Sequence, residues 1–149
     1  MEAKSVLFPV HGDEFDDTPL WLACSLTKAS KGKIYVIYVI EVPRELPIDA
    51  DIPFENQKSE DVLRQIEELG KKYRGNVEAS ILQARDAGSA VVQEASERDV
   101  DAIVIGLNYK RRFGVFDLGK TAPYVLKHAS CPVFLLRARR DTSRSSPFF

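Results

Sequence analysis

The sequence is poor in the residues that most often announce a chemistry. Its two cysteines, Cys24 and Cys131, lie far apart and in no metal-ligand spacing, so they read as reduced, partly buried thiols in a reducing compartment. Its two histidines, His11 and His128, have no serine or cysteine partner at motif spacing, which leaves no basis for acyl transfer, metal-assisted hydrolysis or hydride transfer and no metal site. The formal net charge is −1, so no global field recruits nucleic acid or an anionic membrane. The apolar run at the start, up to Val10, is too short for a signal segment or a membrane span, and cytoplasmic residence without membrane insertion is the expectation. No long internal repeat occurs.

What is present is an alternation of apolar runs and helix-period stretches. "SVLFPV" (5–10), "KIYVIYVIEV" (33–42), "NVEASILQA" (76–84), "DAIVIG" (101–106) and "PVFLLR" (132–137) read as strands. Between them, "TPLWLACSLTKASKG" reads as a helix with Thr18 as N-cap, Pro19 at the first helical position and Gly32 as its stop. A second helix is expected over 59–73, with Val62, Leu63, Ile66, Leu69 and Tyr73 on one face. "GSAVVQEASERD" and "APYVLKHAS" supply two more. The Pro-punctuated stretch 43–58 reads as a long surface crossover with Ile48, Ile52 and Phe54 docked, or as a lid. Strands apolar on both faces and separated by helices call for a parallel sheet covered on either side. Residues 1–139 form one domain on this reading, and 140–149 a basic, Ser-rich tail without period that is expected to be disordered.

"GVFDLGKT" (114–121) satisfies the phosphate-binding P-loop pattern letter for letter. Its context does not. A P-loop follows a strand directly, whereas "LNYKRRF" separates strand four from Gly114; the intervening Val, Phe, Asp and Leu are bulky, and only one strand follows. Counted from Gly106 instead, the same stretch places Tyr109 at +3 and Gly119 at +13, followed by Lys120 and Thr121.

That spacing, with "VLFPVHG" before it and "HASCPVFLLR" after it, resembles the universal stress protein family over nearly the whole chain. "RRFGVFDLG" with "PYVL" resembles the branch whose domains accompany membrane transporters. The resemblance implies a three-layer α/β domain with an open sheet of five parallel strands, order 3-2-1-4-5, and four helices. It implies ATP or another adenine nucleotide as ligand, with magnesium left open. By matching position, the nucleotide-binding residues would be Pro9, His11, Val39, Ile105, Gly106, Tyr109, Arg112, Gly119, Lys120 and Thr121. Pro9, Val39 and Ile105 are equally at home as core residues, and Arg111 and Arg112 as a solvated loop. Gly119 at the start of the last helix would suit an anion. Three positions depart from the family's motif: Tyr109 stands for its second glycine, Lys120 for its final hydroxyl residue, and His11 for an aspartate at the end of strand one.

The remaining features read blandly. Asp13, Glu14, Asp16 and Asp17 suit a solvated loop ahead of a helix, with magnesium binding as the alternative. Arg85 suits a surface salt bridge. The last strand is an apolar edge, and the resemblance implies a homodimer through Val133, Phe134, Leu135 and Leu136. The expected function is that of a regulatory protein of the stress response that binds an adenine nucleotide without efficient turnover. The alternative is a dimeric interaction module of the same fold that binds no nucleotide and serves a protein partner such as a transporter.

Overall fold

The computed structural model describes residues 2–12, 16–107, the backbone of 111–112 and 115–116, and 118–137. Tyr109, Asp13, Glu14 and the tail 140–149 lie outside the described residues. The order of elements is β1 (Ser5–Pro9), α1 (Asp17–Thr27), β2 (Lys33–Glu41), α2 (Pro53–Lys72), β3 (Asn76–Ala84), α3 (Ala87–Glu97), β4 (Ala102–Leu107), β5 (Arg111–Arg112), β6 (Val115–Phe116), α4 (Thr121–His128) and β7 (Val133–Arg137). Five strands pair in parallel in the order β3-β2-β1-β4-β7, the 3-2-1-4-5 sheet with four helices, β7 being its fifth strand. Strand and helix do not alternate strictly, because β5 and β6 pair as a small antiparallel hairpin between β4 and α4.

The strand residues explain why both faces must be covered. Along β1, Val6 and Phe8 point to one side and Leu7 to the other, each fully buried. Val6 and Phe8 join Leu20 and Cys24 of α1 and Val62, Leu63 and Ile66 of α2 in one core. Leu7 joins Ile37, Ile103, Val91 of α3 and Val125 of α4 in the other. Each fully buried Leu, Ile or Phe contributes about 1.5–3 kcal/mol relative to exposure, so neither layer can be dispensed with. Asp86 caps α3, its carboxylate accepting from the Ser89 N–H at 2.9 Å.

Several local expectations are corrected. α2 begins at Pro53, not at residue 59, because Pro53 takes the first helical position, where its missing N–H costs nothing. The buried stripe starts only at Ser59, so the opening turns overhang the core and Phe54 is 76% exposed; Ile48, in the crossover before the helix, is exposed as well. Of the three residues expected to dock, only Ile52 packs against the core. α1 begins at Asp17, so Thr18 is inside the first turn and not its cap; its hydroxyl is buried without a partner among the described residues.

Among the described residues Arg85 forms no salt bridge. Its guanidinium donates to the carbonyls of Val42, Pro43 and Leu46 at 3.3, 2.6 and 2.8 Å, while the Gln83 amide donates to those of Ile48 and Ala50. The shortened crossover between β2 and α2 is thus tied to the end of β3 by two side chains. A guanidinium does this because its donors serve backbone carbonyls as well as they serve carboxylates.

Candidate functional site

The site begins with a proline. The Val10 N–H donates to the Ile37 carbonyl at 2.9 Å, so the backbone of Val10 faces β2 and that of Pro9, one residue earlier, faces β4. Proline has no N–H to give there. Pairing between β1 and β4 accordingly stops after Val6–Ala102 and Leu7–Ile103, whereas β1 stays registered with β2 from Ser5 to Pro9. This leaves a gap in the pairing toward the C-terminal ends of the two strands, at the point where the order of an open α/β sheet reverses and where such sheets bind ligands.

His11 stands across that gap. The Ile103 N–H donates to the Pro132 carbonyl on the β7 side, so by alternation Gly106 turns its backbone to the β1 side. Its carbonyl takes a hydrogen bond from His11 Nε2 at 2.7 Å. In a continued ladder this carbonyl would take the His11 N–H, which goes to Asp16 instead, and the ring supplies the donor in its place. Asp16 sets the pose of His11. Only 3% exposed, its carboxylate accepts from the Gly12 N–H at 2.8 Å and the His11 N–H at 3.2 Å, across a turn in which Gly12 has φ +85°. Asp16 is therefore a buried structural acceptor and not part of a solvated acid loop. Asp17 is likewise engaged, accepting from the Tyr73 hydroxyl and so tying α1 to α2.

The second part of the site is the start of α4. Its N-cap, Lys120, makes no side-chain cap, and no acidic residue sits in the first turn. Thr121 and Ala122 offer N–H groups at the first two helical positions, while Pro123 offers none. Gly119 has φ +74°, and a Cβ built on it would meet nothing within 4 Å. N–H groups with no side-chain cap among the described residues, together with the helix macrodipole, favour an anion here. Because α4 runs back along the sheet toward β7, this end lies at the same C-terminal rim as His11 and Gly106.

The other sequence-predicted residues are placed as follows. Pro9, Ile105 and Gly106 are buried, and Val39 is half-buried beside the second core, paired with Leu82. Arg112 lies in β5, paired in register with Val115. Val133 to Leu136 form the half-buried edge strand, with β4 on one side and no neighbouring strand on the other among the described residues. A separate cleft of about 290 Å³ opens beside Gly12, lined by Phe54, Gln57, Lys58, Asp61 and Val62; none of the predicted residues lines it. Among the described residues no three His, Cys, Asp or Glu side chains gather as metal ligands, and no helix is long and apolar enough to cross a membrane. Both cysteines are free. Burial pushes the Cys24 thiol up to about 11 and raises that of Cys131 as well.

Solved structures with this architecture include a universal stress protein from Archaeoglobus fulgidus, 19% identical, covering 88% of this chain and 96% of that one at a TM-score of 0.76. A complex of the universal stress protein from the same organism with dAMP is 20% identical and covers 91% and 98% of the two chains at a TM-score of 0.71. In sequence, a universal stress protein of Methanocaldococcus jannaschii is 22% identical over 140 residues, covering 90% of this chain and 82% of that protein. The model of the universal stress protein family matches residues 2–137, and the chain belongs to that family.

Proposed function

We propose that the protein is a regulatory adenine-nucleotide binder that holds its ligand at the C-terminal rim of the sheet without efficient turnover. The observation that carries this reading is the pairing, on one rim, of a gap between β1 and β4 with the start of α4, whose N–H groups have no side-chain cap among the described residues. Pro9, His11, Val39, Ile105 and Gly106 would border the nucleoside, and Gly119, Lys120 and Thr121 the phosphates, with Tyr109 and Arg112 joining them from the sequence between. Structural neighbours solved with dAMP, cAMP and AMP support the ligand class. Free thiols suit a reducing compartment such as the cytoplasm. The open edge of β7 suits a homodimer.

The test is direct. The purified protein is denatured and the released small molecules are identified; ATP, ADP and AMP are then titrated by thermal shift and phosphate release is followed. Ligand at one hundred times its Kd adds about 2.7 kcal/mol, a clear rise in midpoint. If no nucleotide raises the midpoint at millimolar concentration, the binding reading fails. A second reading, a module of the same fold that binds no nucleotide, is favoured by one observation: the His11 ring already spans the gap.

A further inference from the structure

The bond from His11 to Gly106 fixes more than the position of a ring. A carbonyl oxygen only accepts, so Nε2 must carry the proton in that contact. In the neutral imidazole the other nitrogen, Nδ1, is then an acceptor and has no hydrogen to give. His11 is exposed at the rim, and its main chain is held by Asp16, so the ring is oriented at both ends. No partner for Nδ1 occurs among the described residues.

We infer that His11 is a specificity-determining residue: its Nε2–H is committed to Gly106, and its Nδ1 selects ligands that bring a single O–H or N–H donor to the mouth of the gap. The inference rests on the nucleotide reading above, for which the available donors are a ribose hydroxyl or the adenine amino group. A carboxylate at this position could accept two donors at once; Nδ1 accepts one, in the plane of a ring that its other nitrogen holds still. Selection of this kind follows because a site built to accept a hydrogen bond rejects the analogue that lacks the donor.

Two measurements test it. Nitrogen-15 NMR of the free protein at pH 8 should show His11 as the Nε2–H tautomer; a predominant Nδ1–H tautomer would overturn the inference without reference to any ligand. Binding of AMP is then compared with its 2′-deoxy and 3′-deoxy analogues and with the analogue that lacks the 6-amino group. One of the three should bind wild type about tenfold more weakly, the loss of one hydrogen bond. His11→Leu, which keeps bulk and loses the acceptor, should bind AMP and that same analogue alike. His11→Gln, whose amide can both donate to Gly106 and accept, should restore the difference. Wild type indifferent to all three analogues, or His11→Leu as selective as wild type, would overturn the inference while leaving nucleotide binding intact. No AMP binding by wild type would instead remove the nucleotide reading, and this inference with it.

Discussion

Asp16 offers the sharpest quantitative test of how the site is held. Replacing it with alanine removes a carboxylate that is 3% exposed and strands the N–H groups of His11 and Gly12, which it accepts at 3.2 and 2.8 Å. A hydrogen bond to a charged group is worth about 1.5–3 kcal/mol, so two set an upper limit near 6 kcal/mol. Both donors belong to residues at an exposed rim, where water can take over part of the work. The expected loss is therefore about 2–3 kcal/mol. For a chain of 149 residues, unfolding entropy of about 2.1 cal/mol/K per residue converts this to a fall in Tm of about 6–10 °C. Asp16→Asn keeps one acceptor and should lose about half as much. Differential scanning calorimetry on the three proteins measures this. An Asp16→Ala protein within 1 °C of wild type would show that the turn does not depend on this side chain, and the claim that Asp16 poses His11 would fall with it.

Three further outcomes are expected. Arg85→Ala should cost at most about 1 kcal/mol, since the residue is exposed, yet hydrogen exchange across residues 43–52 should quicken markedly; unchanged exchange would mean the crossover is held by other contacts. Burial holds the Cys24 thiol up to about 11, and burial with the adjacent Asp17 holds the Tyr73 hydroxyl up to about 12, from ordinary values of 9.0 and 10.0. Both raised values contribute stability that is complete below pH 9 and lost as pH climbs toward 12, so urea midpoints should fall from pH 8 to 10.5 more steeply in wild type than in a Cys24→Ala/Tyr73→Phe variant; equal slopes would refute the assignment. The backbone of Leu135 faces away from β4, by the register Ile103–Val133 and Ile105–Leu135, so Leu135→Pro should remove an outward N–H and convert the proposed dimer to monomer in light scattering. A variant that is folded and still dimeric would argue against pairing through β7.

Much of the fold was legible because it rests on signals a chain carries locally. β3 falls on Asn76–Ala84, and β1, β2, β4 and β7 lie within a residue of their apolar runs, since strands buried on both faces leave little latitude in where apolar residues sit. Helix starts were less legible. The stripe of α2 marks where the helix meets the core, and the helix itself begins six residues earlier at Pro53, in turns that touch little. The hairpin of Arg111–Arg112 with Val115–Phe116 went unread for a related reason, since strands of two residues have no period to detect.

The site divides along the same line. Gly106 and Gly119 were visible through their spacing, and His11 through its place at the end of strand one. What could not be read is that His11 and Gly106 meet, because a contact across 95 residues has no periodic trace and depends on how two strands are registered. A cue was nevertheless present. Pro9 sits in an otherwise continuous strand, and a proline inside a buried parallel strand must leave one neighbour without a donor. By the register Leu7–Ile103 the carbonyl that Pro9 leaves is Val104's, which marks where the ladder breaks; two residues on, Gly106 would next take the His11 N–H, and because that N–H goes to Asp16 the His11 ring serves the carbonyl instead. Asp16 follows by the same accounting, as the acceptor for the N–H groups of a turn that pairs with no strand. The residues that most distinguish this rim are thus those that repair the backbone where the sheet opens, and a ligand seated there must bind around those repairs.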